Sequence, residues 1–211
     1  MILNTHMPMD LDEQLFHFLA DYFREEDQRR GVYAVTAVGE FVPSSLAHVG
    51  QGMGNFLRRY APHRRWLFLD AGSGDGRLVV LLALVFGLRT VGVEYDEELH
   101  RRSLQNIRRI SRVHPPPHAP QILCGDFLDD ALYAKHGLRF ADFHVVFNYA
   151  NNHTLLAEKV ARDGGEGAYF LLYSPRPTGE SFSGLRCVDT WELSPTASVC
   201  RGPYLQVYRK I

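Results

Sequence analysis

The chain has 211 residues, with 23 Lys plus Arg against 24 Asp plus Glu and a net charge of −1. That length suits one domain with a sizeable core, and the charge balance gives no global attraction to nucleic acid or to a membrane. The longest apolar run, 78–88, is too short to cross a bilayer. The N-terminus lacks a basic region followed by an apolar one. Cys124, Cys187 and Cys200 have neither metal nor disulfide spacing. A soluble, cytoplasmic protein of a reducing compartment is expected.

Taken in chain order, Leu11, Leu15, Phe18, Leu19, Tyr22 and Phe23 recur at helical spacing, with Asp12, Glu13, Asp21 and Glu25 on other sides. This predicts an amphipathic N-terminal helix that caps the core, or serves as a lid, substrate platform or dimer surface. Phe41-Val42-Pro43-Ser44-Ser45 leads into a second helical stretch over 46–60. Residues 1–62 therefore read as a helical extension and 63–211 as a cofactor-binding domain.

From Trp66 onward strand and helix patterns alternate, which predicts a parallel sheet with helices on both faces. Strands are expected at 66–70, 90–94, 121–124, 142–147, 167–173, 186–192 and 203–209. The last two lie close enough to pair antiparallel, because the segment before them is too rich in Pro and Gly for a long helix. The fold class is thus α/β: a Rossmann-like seven-strand sheet, mostly parallel, with an antiparallel C-terminal hairpin.

The most informative stretch is 66–77, an apolar strand ending in Asp70 and followed by Gly72, Gly74 and Gly76 ahead of an apolar helix over 78–86. Such a turn lets backbone approach a ligand closely while the helix N-terminus points at the same place. The spacing is tighter than the G-x-G-x-x-G of dinucleotide folds. A carboxylate at the strand end repels a pyrophosphate but suits a cation. The next strand ends in Glu94, at the separation expected of a ribose-binding acid, and Tyr95 follows either as an adenine contact or as packing. The third ends in Gly125-Asp126-Phe127.

This pattern resembles motif I and its successors in the class I, seven-strand, S-adenosylmethionine-dependent methyltransferases. The resemblance implies cofactor contacts from Asp70, Gly72, Gly74, Gly76, Glu94, Tyr95, Asp126, Phe127 and Asn148. Asp70 would face the amino-acid end, Glu94 the ribose hydroxyls, and Asp126 and Phe127 the adenine. The strand end at Asn148-Tyr149-Ala150 lacks the Pro-Pro-aromatic sequence of enzymes that methylate nucleobase amines. Asp142 with Asn148 or Asn151 makes a poor magnesium cage, and His114 and His118 lack further ligands, so no metal is expected.

Two narrower resemblances follow. Asp70-Ala71-Gly72-Ser73-Gly74, Gly92-Val93-Glu94, Gly125-Asp126-Phe127-Leu128 and Asn148-Tyr149-Ala150 look like the non-SET histone-lysine methyltransferases of the disruptor of telomeric silencing family. So do Glu192-Leu193-Ser194-Pro195, Ser198-Val199 and Gly202-Pro203-Tyr204-Leu205. Phe41-Val42-Pro43-Ser44 with Gly74-Asp75-Gly76-Arg77 resembles small seven-strand protein-lysine methyltransferases. Arg77 departs from the glutamine of the histone family, and its basic DNA-holding segment is absent. These likenesses imply methyl transfer to a protein lysine, with Asn148 and Tyr149 as catalytic residues and Phe41, Tyr149 and Tyr204 lining a channel.

An RNA or small-molecule methyltransferase, or a cofactor-binding module without turnover, are the alternatives. Arg101, Arg102, Arg108, Arg109 and Arg112 read as a solvated helix face, or as a dock for an acidic partner or a nucleic-acid backbone. No membrane partner is expected, and nucleic acid is the less favoured partner.

Overall fold

The computed structural model describes residues 12–36, 39–60, 65–193 and 202–211. Leu11, Ser194-Pro195, Ser198-Val199 and Cys200, all used above, lie outside the described residues. Helix α1 spans Glu13–Arg30 and starts where Asp12 accepts a hydrogen bond from the Leu15 amide at 3.0 Å. Two short strands follow, β1 (Ala34–Thr36) and β2 (Gly39–Phe41), paired antiparallel. They were not expected, because three residues are too few to show a period-two pattern. Helix α2 (Leu46–Tyr60) has the expected bounds.

The remaining elements alternate: β3 (Leu67–Ala71), α3 (Arg77–Leu84), β4 (Arg89–Glu94), α4 (Glu97–Val113), β5 (Gln121–Cys124), α5 (Asp130–Lys135), β6 (Val145–Tyr149), α6 (His153–Asp163), β7 (Tyr169–Ser174), β8 (Leu185–Glu192) and β9 (Tyr204–Lys210). The sheet order is β5-β4-β3-β6-β7-β9-β8. Strands β3 to β7 pair parallel, and β9 is antiparallel to both β7 and β8. The expected Rossmann-like seven-strand sheet is therefore present. Strand β6 starts three residues later than expected, since Phe140–Asp142 form a 3-10 turn held by the Arg139–Asp142 pair.

Central strands are buried along their whole length, which is why β3 and β7 read as continuous apolar runs rather than alternations. Alternate residues serve two cores. Phe68, Phe147, Tyr169 and Leu171 pack with Leu19 and Phe23 of α1, Met53 and Phe56 of α2 and Leu81 of α3. Leu67, Leu69, Val146 and Phe170 pack with Tyr133, Leu156, Val160 and Phe182. The N-terminal helices are thus part of the main core. No helix among the described residues is long and apolar enough to cross a membrane.

Phe23 is 1% exposed. Its truncation to Ala should cost about 3–5 kcal/mol of unfolding free energy. Val35→Ala on the exposed hairpin should change it by less than about 0.5 kcal/mol. Urea melts of the two variants check this contrast.

Candidate functional site

In an open parallel sheet a ligand crevice opens at the carboxyl ends of the strands, where successive connections leave in opposite directions. Here the chain runs outward from β3 through β4 to β5 and then crosses back to β6 on the other side of β3. The crevice therefore lies between the ends of β3 and β6. Asp70 and Ala71 end one strand and Asn148 stands opposite Ala71 on the other. Asn148 is locked there, its Nδ2 donating to the Ala71 carbonyl at 2.7 Å.

The glycine turn is pinned from behind by β4, since the Gly72 and Ser73 amides both donate to the Val93 carbonyl at 2.9 Å. Gly74 and Gly76 have φ of +54° and +80°, conformations that side chains resist. A Cβ at Gly74 would also run into the ring of Phe41, and Gly76 is the N-cap of α3. Glu94 ties this turn to the next strand. Its Oε2 accepts from the Gly74 amide at 2.7 Å and its Oε1 from the Asp96 amide at 2.9 Å.

The electrostatics are unusual. Burial first, and then the charges of Glu94 and Asp75, push Asp70 from 3.8 up to about 8. Burial also raises Glu94, against backbone amide hydrogen bonds that lower it. Two sheltered carboxylates at adjacent strand ends favour a cation in front of them. Among the described residues the buried side-chain polar atoms without a hydrogen-bond partner are Ser73 Oγ, Asn148 Oδ1 and Arg102 Nε and Nη2. All belong to the glycine turn or to residues against it.

Sequence reasoning missed what holds the turn on its far side. Asp75 is completely buried, and both its oxygens are taken by Arg77, through Nε at 3.0 Å and Nη2 at 2.8 Å. Arg77 also bonds both oxygens of Asp27 on α1, at 2.7 and 3.3 Å, with its guanidinium 5.0 Å from the Phe23 ring centre. The Asp75 carbonyl accepts from Asn106 Nδ2 at 2.9 Å, and Asn106 Oδ1 accepts from the Tyr22 hydroxyl at 3.0 Å. The available signal was Gly74-Asp75-Gly76-Arg77 itself, in which opposite charges sit two apart at a helix start.

The arginine row of α4 is not one solvated face. Arg102 is 7% exposed and Arg109 pairs with buried Glu26 of α1 at 3.2 Å. Helix α1 lies against α4 and buries Arg102, while Arg101, Arg108, Arg109 and Arg112 stay exposed.

Other expected site residues sit further out. Tyr95 is exposed beside Glu94. Asp126 lies just past the end of β5, exposed, with Oδ1 capping the Leu128 amide at 2.8 Å, and Phe127 is half-buried against the second core. Tyr149 is half-buried, 5.3 Å from Tyr173 between ring centres, and burial raises its pKa. Phe41 covers Gly74, and Tyr204 is half-buried at the start of β9. Asp142 precedes β6 and so lies at the opposite end of that strand from Asn148. An apolar cavity of about 250 Å³ between Phe16, Gly50, Gly54 and Phe86 lies away from the carboxylates.

No protein-family model matches the chain, and no curated protein matches it. Solved structures do, and they define the fold as that of the class I S-adenosylmethionine-dependent methyltransferases. An RNA methyltransferase from Salinibacter ruber in complex with S-adenosyl-L-homocysteine aligns with TM-score 0.53 and 19% identity, over 80% of this chain and 92% of that one. The tRNA (m1A58) methyltransferase TrmI from Aquifex aeolicus gives 0.58 and 17%, over 82% and 78%. MtNAS in complex with MTA and tNA gives 0.60 and 15%, over 94% and 70%.

Two outcomes follow from this geometry. A carboxylate raised by folding contributes stability that is full below its unfolded pKa and lost as pH rises through its folded one. The ligand-free protein should lose stability from Asp70 as pH rises from 3.8 to about 8; thermal melts of Asp70→Asn across that range should be flatter than wild type. Asp75→Ala, which leaves Asp27 alone to balance buried Arg77 and Arg102, should cost about 3–5 kcal/mol in denaturant melts.

Proposed function

We propose that the chain is an S-adenosylmethionine-dependent methyltransferase whose acceptor is a lysine side chain of a protein. One observation carries the cofactor reading. Buried carboxylates and partnerless buried polar atoms converge on a single glycine turn at the sheet's switch point. Asp70 and the carbonyl oxygen of Asn148 suit a group that is cationic and donates hydrogen bonds, which the amino-acid end of this cofactor provides. Gly72, Gly74 and Gly76 leave room for it, Glu94 suits the ribose hydroxyls, and Tyr95, Asp126 and Phe127 suit the adenine. A neighbour of the same fold, named as a complex with S-adenosyl-L-homocysteine, supports the assignment.

When bound, the cofactor supplies an electrophilic methyl carbon on a sulfonium. The chain's own task is placement, because aligning nucleophile and methyl group provides much of the rate. A lysine amine has a reference pKa of about 10.4 and must be neutral to react. A partly buried aromatic wall such as Tyr149 and Tyr173 would disfavour the ammonium form by desolvation. Asn148, fixed by its bond to Ala71, would orient the amine or the cofactor with its remaining oxygen. Residues 1–62 serve as the acceptor-side extension and 63–211 as the cofactor domain. The free thiols of Cys124 and Cys187 fit a reducing, cytoplasmic setting.

RNA as acceptor is the second reading, favoured by the Salinibacter and Aquifex neighbours, which are named for RNA and tRNA. The purified protein should transfer labelled methyl from S-adenosylmethionine into protease-sensitive material of a lysate lacking the enzyme. Label lost on ribonuclease treatment instead would move the acceptor to RNA. Calorimetry should show saturable S-adenosylmethionine binding, weakened at least about tenfold by Glu94→Ala through loss of two charge-assisted contacts. Absence of binding to wild type would overturn the cofactor assignment.

A further inference from the structure

Arg102 has an electrostatic role in the fold and donors left over. It is 7% exposed, and its Nη2 stands 3.5 Å from Asp75 and 3.9 Å from Asp27. Neither approach makes a hydrogen bond, whereas Arg77 bonds both oxygens of Asp75 and both oxygens of Asp27. Nε and Nη2 of Arg102 are buried and without a hydrogen-bond partner. A charge-balancing arginine alone would be expected to spend those donors on the carboxylate it balances, since an unmade buried hydrogen bond is costly.

The position is equally specific. The guanidinium lies 5.7 Å from the ring centre of Phe41, and the same ring lies on Gly74. The next residue, Ser103, is against Gly76. Arg102 thus flanks the glycine turn on its Asp75 side, while Asp70 enters the turn from β3. The turn carries a carboxylate at one end and a guanidinium with spare donors at the other. A zwitterion with a cationic amine and an anionic carboxylate matches that arrangement, and a planar guanidinium is suited to bidentate carboxylate recognition.

We infer that Arg102 is a specificity-determining residue that binds the carboxylate of the cofactor's amino-acid end, a reading that rests on the cofactor assignment above. Phe41 forms the apolar wall that keeps this pair out of water, so the N-terminal hairpin contributes to cofactor selection. The inference assigns Arg102 to binding, distinct from the purely structural work of Arg77.

The test is a two-by-two calorimetric comparison. Its ligands are S-adenosylhomocysteine and the analogue lacking only the carboxylate, and its proteins are wild type and Arg102→Gln. Wild type should prefer the intact ligand by about 10- to 100-fold, the range expected of a charged hydrogen-bonded contact. Arg102→Gln should bring that ratio to about one while leaving affinity for the truncated analogue near the wild-type value. A merely structural arginine would weaken both ligands together and keep the ratio. Arg102→Lys, which keeps the charge without the planar fork, should retain a reduced preference, and melting curves establish that each variant is folded. Equal affinity of wild type for the two ligands, or an unchanged ratio in the variants, overturns the assignment, whichever variant folds. Failure of wild type to bind S-adenosylhomocysteine at all overturns the cofactor reading itself, a result distinct from a surviving ratio.

Discussion

The structure depends on a conflict of like charges in a confined place. Asp70, Asp75 and Glu94 lie within one strand, one turn and one neighbouring strand end, all sheltered from water. Burial, and then the neighbouring carboxylates' mutual repulsion, disfavours ionisation there, which is why Asp70 is displaced so far from its ordinary range. The fold answers each differently. Asp75 receives two arginines, Glu94 receives two backbone amides, and Asp70 receives no cation among the described residues. The unanswered carboxylate is the one at the switch point of the sheet, where a ligand reaches the strand ends.

This arrangement explains why the N-terminal helix is built as it is. Asp27 closes the far side of Arg77, Phe23 lies beneath the same guanidinium, and Tyr22 steadies Asn106, which holds the Asp75 carbonyl. Glu26, also buried, collects Arg29, Arg30 and Arg109, so one helix is sewn to α4 by charge as well as by packing. Breaking a buried pair strands the remaining charge, which makes such a network far more sensitive to loss of one member than its exposed counterparts. The position of the glycine turn is therefore set jointly by the sheet behind it and by α1 beside it.

Much of this was legible in the sequence for physical reasons. Buried parallel strands are apolar throughout, so 66–70, 90–94 and 121–124 were found within a residue or so of their ends. The glycines at 72, 74 and 76 marked the turn because only a residue without Cβ fits beneath Phe41 or takes up those φ values easily. The hairpin of β1 and β2 was invisible, since three-residue strands carry no period. The fate of the α4 arginines was also hidden. Helical spacing places Arg102 and Arg109 on a face, but only the packing of α1 decides that Arg102 is buried while Arg109 stays exposed. The Asp75–Arg77 pair had a local sign in opposite charges two residues apart, but its closure by Asp27, fifty residues from Arg77, did not. Long-range pairing of that kind leaves no local trace.

The central claim is that the turn between β3 and α3, with its flanking acids and Arg102, is where S-adenosylmethionine binds. Amide hydrogen exchange with and without S-adenosylhomocysteine tests it most directly, because exchange reports the place of binding without any knowledge of the acceptor. Protection should concentrate at residues 71–77, around Glu94 to Asp96 and around Asn148 to Asn151, with a smaller effect near Phe41. Protection confined to the apolar cavity between α1 and α2, or none at saturating ligand, would contradict the account.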